Sequence, residues 1–133
     1  MTDSDPMRVR DLMVEELHTI DGLATVADAL VLMKRHGVSS LVVNRRNEDD
    51  ELGLVVVADL ARGVIADNRA PERVNVYEIM SKPLLTLPEE MLARYAVRLL
   101  TRFELSRAVV IDHDRNAVGI VTLRDLVMGY AAE

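Results

Sequence analysis

Gly119-Ile120-Val121-Thr122-Leu123-Arg124-Asp125 repeats, with substitutions, a passage met 66 positions earlier (53 onto 119): Gly53-Leu54-Val55-Val56-Val57-Ala58-Asp59. Glycine, the third-position valine (Val55 and Val121) and aspartate coincide, and Leu60 and Gly63 continue the match as Leu126 and Gly129. Upstream the offset becomes 67 (9 onto 76). It superposes Val9 on Val76, Met13 on Met80, Leu17 on Leu84 and Thr19 on Thr86. It also pairs Ala29 with Ala96, Arg35 with Arg102, Ser39 with Ser106, and Val42-Val43 with Val109-Val110. Ordered identities broken by one slip of a single residue, at a turn, mark a duplicated unit.

Both copies read alike. A helical turn (Val9 to Met13; Val76 to Met80) leads to an extended piece ending at Thr19-Ile20 or Thr86-Leu87. Val26, Ala29, Leu30 and Met33 then recur at the spacing of one helical face. Thr25 and Asp28 form a capping-box pattern before that helix, and Gly37 is a natural stop after it. In the second copy Ala93, Ala96, Val97 and Leu100 keep the register, with Pro88-Glu89-Glu90 as the expected start signal. The runs Leu41-Val42-Val43 and Ala108 to Ile111 read as strands buried on both faces. A polar turn (Arg45 to Glu51; Asp112 to Asn116), a second strand (Leu52 to Val57; Val118 to Thr122) and a closing helix near Asp59 or Asp125 complete each copy. The predicted order is β-α-β-β-α, twice, an α/β (α+β) fold. The expected boundaries are an arm over 1–7, repeats over 8–66 and 76–133, and a linker over 67–75 carrying Pro71.

The strand-to-helix corner has a chemistry of its own. Thr122 ends a strand and Asp125 opens a helix, so both polar groups project from one corner. An ionised carboxylate only accepts hydrogen bonds and can take both hydroxyl protons of a ribose. A threonine hydroxyl beside the unpaired N–H groups of a helix start suits a phosphate or ribose oxygen. The same residues also have a purely local reading, as helix caps and first-turn acids.

The tandem unit resembles the cystathionine β-synthase (CBS) domain pair over nearly the whole chain, Val9 to Tyr130. Gly119 to Asp125 matches that family's G-h-x-T-x-x-D motif at each specified position. The first copy has Val56 in place of the hydroxyl residue, and both central strands lack the family's frequent proline. The resemblance implies a pseudo-twofold pair with two clefts, each built from both repeats. One would join Thr122 and Asp125 to Thr19, Ile20, Val38, Ser39 and Ser40. The other would join Asp59 to Thr86, Leu87, Leu105, Ser106 and Arg107, with the Arg107 guanidinium as a phosphate partner. Backbone groups would read an adenine edge while apolar side chains enclose the ring. The implied function is regulatory sensing of an adenine nucleotide (AMP, ADP or ATP) by a homodimer that modulates another protein. No cofactor is required. The rivals are an S-adenosylmethionine sensor and a dimerisation module without a small ligand.

Composition narrows the remaining classes. A formal charge of −6 and an aromatic set of Phe103, Tyr77, Tyr95 and Tyr130 oppose nucleic-acid binding. Cysteine is absent, so neither disulfides nor thiolate chemistry arise. No apolar run approaches the roughly 20 residues of a membrane span. Thr2-Asp3-Ser4-Asp5-Pro6 is acidic where a signal peptide is basic, so a cytoplasmic location is expected. His18, His36 and His113 show no metal-ligand spacing, and Ser39 and Ser40 have no placed base, so catalysis is not expected. Met33 and Met128 are expected in the core or an interface, and Asp49-Asp50-Glu51 in a solvated turn.

Overall fold

The computed structural model describes residues 6–82 and 85–131, with Ala131 described by its backbone alone. Most of the expected arm and Leu84, the repeat partner of Leu17, lie outside the described residues. In chain order the elements are α1 (Val9–Leu12), β1 (Thr19–Ile20), α2 (Val26–His36), β2 (Ser40–Val43), β3 (Gly53–Val56) and α3 (Val57–Leu60). A π turn (Ala61–Ile65) extends α3, and two 3-10 turns follow at Pro71–Arg73 and Val76–Glu78. Then come β4 (Thr86–Pro88), α4 (Ala93–Arg102), β5 (Arg107–Ile111), β6 (Ala117–Thr122) and α5 (Leu123–Ala131).

The chain divides into two compact units, and they are offset from the repeats seen in the sequence. His18–Leu84 forms a central unit, and Met1–Leu17 with Leu85–Glu133 forms a terminal one. In each, a three-stranded sheet runs in chain order, β1-β2-β3 or β4-β5-β6. The first pair is parallel and the second antiparallel.

In the central unit, Leu41, Val42 and Val43 are at most 1% exposed, as a strand covered on both faces requires. The Thr25 hydroxyl accepts the Asp28 N–H and the Asp28 carboxylate accepts the Thr25 N–H, each at 3.1 Å. Gly37 ends α2 at φ 64°, a left-handed conformation that suits glycine. Val26, Ala29 and Met33 enter the core, but Leu30 stays 38% exposed, so the apolar face is narrower than its spacing predicts. The expected linker is structured: Val74 is buried, and its carbonyl accepts the Val26 N–H at 2.8 Å. Leu54 and Ser81 then exchange two backbone hydrogen bonds.

The terminal unit repeats this plan with α1 in the role of the Val76–Glu78 turn. Val9 N–H donates to the Met91 carbonyl at 2.8 Å, and Ala93 N–H to the Met7 carbonyl at 2.9 Å. Val14 and Ile120 exchange two bonds, as Ser81 and Leu54 do. Helix α4 begins at Ala93, after Leu92, which makes no side-chain cap. Pro88 instead closes β4, with Glu89-Glu90 in a turn. Met33 is a core residue, whereas Met128 stands 56% exposed on α5.

Candidate functional site

Each sheet ends in a strand-to-helix corner, and the two corners are built differently. In the terminal unit β6 runs to Thr122 and α5 starts at Leu123, whose N–H donates to the Ser106 carbonyl at 2.8 Å. The Thr122 Oγ1 accepts the Asp125 N–H at 3.0 Å. The local capping role is therefore real. It uses an acceptor site of the hydroxyl and leaves its proton to donate. The Asp125 carboxylate does not fold back in the same way. Its Oδ1 lies 3.9 Å from Arg124 Nη1, and the side chain retains 35% exposure.

In the central unit the Val57 N–H donates to the Ser39 carbonyl at 3.0 Å, the counterpart of the Leu123–Ser106 bond. Val56 has no oxygen to cap the helix. Asp59 turns back instead, its Oδ2 accepting the Val56 N–H at 3.1 Å and its Oδ1 lying 3.3 Å from Arg62 Nη2. Side-chain exposure falls to 15%. The loss of one hydroxyl thus converts an outward carboxylate into a local cap.

Strand pairing sorts the other expected residues. Ser40 stands opposite Val56, and Arg107 opposite Thr122. Arg107 is thus in register with the last residue of β6. Thr19 opens β1 beside Val42 and is exposed, and Thr86 opens β4 beside Val109. Ile20 and Leu87 are core residues, 5% and 0% exposed, so only their backbone is left for a ligand. Val38 packs partly buried against the central core. Within the terminal unit Thr86, Arg107, Thr122 and Asp125 share one sheet, its leading edge and its following helix. Thr19, Ser39, Ser40 and Asp59 do so within the central unit.

Three features escaped the sequence. The His18 and His36 rings stack, with centroids 3.7 Å apart. Neither spacing nor composition signals this pairing. Asp50, expected in a solvated turn, has a side chain only 7% exposed. Its carboxylate pairs with the Lys82 ammonium and accepts the Arg46 backbone N–H at 2.8 Å. The third is a recess of about 650 Å³ in the central unit, at the end of the sheet away from Ser40 and Val56. Among the described residues no group of three metal-ligating side chains is found, and no helix is long and apolar enough to cross a membrane.

The hydrogen bond from Lys82, followed by that from the Arg46 N–H, holds the Asp50 carboxyl well below the usual carboxylate range. A carboxyl lowered in the folded state adds stability above its unfolded pKa, and this is lost as pH falls through the folded value. The difference in urea midpoint between the natural chain and Asp50→Asn should therefore hold steady down to about pH 4 and shrink below it. A difference that grows on acidification contradicts this account.

A family model described as the CBS domain matches residues 9–66 and 76–131. An uncharacterized protein of Methanopyrus kandleri is 32% identical over 104 residues, 77% of this chain and 52% of that protein. The chain thus spans about half of that relative's length. A hexameric CBS-CP12 protein from bloom-forming cyanobacteria superposes with a TM-score of 0.88 at 33% identity, over 95% of this chain and 73% of that one. The CBS domain of a bacterial CNNM/CorC family Mg2+ transporter, solved in complex with ATP, superposes at 0.78 with 28% identity. That match covers 95% of this chain and 88% of that one.

Proposed function

Since the chain belongs to the CBS domain family, we propose that its tandem pair senses an adenine nucleotide and regulates another protein, acting as a homodimer in the cytoplasm. The outward Asp125 carboxylate beside the Thr122 hydroxyl carries the reading. The carboxylate takes the ribose hydroxyls and the Thr122 O–H donates to a phosphate or ribose oxygen. Arg107, paired in register with Thr122, faces the phosphate. The ATP complex of the transporter's CBS domain supports this ligand class. No covalent step is involved. The nucleotide acts by preferring one of two geometries of the pair, which is the condition for a ligand to shift an equilibrium.

A second reading applies to the other corner. Asp59 is already bonded to Val56 and Arg62, which favours a structural role for that side and a single nucleotide per chain.

Thermal denaturation with AMP, ADP, ATP and S-adenosylmethionine tests the proposal. A ligand at 100 times its Kd should stabilise the fold by about 2.7 kcal/mol, a rise in Tm on the order of 10 °C for a domain of this size. A flat response to every adenine nucleotide at millimolar concentration rejects it. A rise with S-adenosylmethionine alone transfers the site to that ligand.

A further inference from the structure

The recess at the other end of the central sheet lies where β1 and β2 finish and the turn after β2 folds over. Leu23, Val43 and Met80 line it with Tyr77, and Arg45, Arg46 and Lys82 bring positive charge. Its volume of about 650 Å³ is that of a small-molecule site.

The charges are arranged for an anion. Asp50 is occupied by Lys82 and by the Arg46 backbone N–H, with Arg46 Nε at 3.3 Å. Asp21 accepts the Leu23 N–H at 2.8 Å. Lys82 and Arg46 are thus shared with Asp50, and the three cations and two carboxylates of the lining leave one net positive charge in a chain whose formal charge is −6. Tyr77 is 51% exposed and offers a flat apolar surface.

The duplication supplies an internal control. The 67-residue offset maps Tyr77 onto Arg10, Lys82 onto Glu15, Gly22-Leu23 onto Glu89-Glu90 and Arg45 onto Asp112. At that corner Arg10 Nη1 is bound to Glu90 Oε1 at 2.9 Å, and Arg8 Nη1 donates to the Glu90 carbonyl at 2.6 Å. A common backbone therefore carries different side chains in the two units. The residues that line the recess are thus not repeated in the terminal unit.

We propose that this recess binds a small anion carrying a flat ring. The ring lies against Tyr77, Leu23, Val43 and Met80, and the anionic group meets the guanidinium groups of Arg45 and Arg46, whose planar forks suit phosphate or carboxylate. The site shares no residue with the Thr122–Asp125 corner and does not depend on the nucleotide reading.

Titration of the 15N-labelled 133-residue chain with phenyl phosphate, followed by amide chemical shifts, tests it. Saturable shifts are expected at Gly22, Asn44, Tyr77 and Lys82. Binding should weaken about tenfold or more in Tyr77→Ala and in the Arg45→Ala/Arg46→Ala double variant, each checked for a native spectrum. Inorganic phosphate should bind at least about tenfold more weakly than phenyl phosphate. Equal binding of the two phosphates overturns the proposal, because the ring then contributes nothing. So do shifts centred on Thr122 and Asp125, or affinities indifferent to both variants.

Discussion

Asp125→Ala is expected to weaken adenine-nucleotide binding by roughly 10- to 100-fold, and Asp59→Ala by less than about threefold. A hydrogen bond to a charged group contributes about 1.5–3 kcal/mol, and the Asp125 side chain remains outward, with 35% exposure. Asp59 is engaged with the Val56 N–H and the Arg62 guanidinium, so recruiting it first requires breaking those contacts. Its removal should be felt in stability, through the lost cap. Isothermal titration of both variants, with circular dichroism to verify folding, reads the contrast. Equal losses of affinity would show two equivalent corners and remove the basis for a single site.

Gly119→Ala should be among the most destabilising single-methyl changes in the chain, at about 2–4 kcal/mol, or a fall in Tm on the order of 10 °C. A Cβ there would lie 2.7 Å from Met13 Sδ and 2.9 Å from the Val14 carbonyl oxygen. The methionine can move. The carbonyl is fixed by its bond to the Ile120 N–H at 3.0 Å, so the segment before β1 must separate from β6. Gly53→Ala should cost less, since its close contacts are with side chains, Met80 Sδ at 2.8 Å and Val43 Cβ at 3.2 Å. Gly22→Ala, with nothing nearer than 3.6 Å, is the neutral control. Adding Met13→Ala to Gly119→Ala should recover only part of the loss. Full recovery would show that the thioether, and not the main chain, sets the penalty.

These glycines show how far the sequence could be read. Gly53 and Gly119 stand out as repeated motif positions, but their purpose is steric and involves Met80 and Met13 from segments distant in the chain. The order of elements was legible because apolar runs, helical spacing and capping signals are local, as Thr25, Asp28 and Gly37 illustrate. The composition of each compact unit was not. Hydrogen bonds from Val9 to Met91 and from Val26 to Val74 join segments that no local pattern links. At the corners, replacement of a hydroxyl by Val56 was visible, and its consequence, the reorientation of Asp59, required coordinates. The recess was hidden for a similar reason. Asp21, Arg45, Tyr77 and Lys82 share no spacing and meet only once β1, β2 and the Val76–Glu78 turn are folded together.

The interleaving of segments also imposes an order on synthesis. Residues 18–84 leave the ribosome as an uninterrupted stretch that holds everything the central unit requires. Val9, Leu12 and Met13 emerge earlier, yet the surfaces that cover them, on β6 and α5, are translated well after the central unit. The nascent chain therefore carries this uncovered apolar arm while the central unit is made, and the terminal unit closes only by joining residues 9–14 to β6 and α5. Such a closure between distant segments is slow compared with local folding, so the arm is where a chaperone has the longest opportunity to bind.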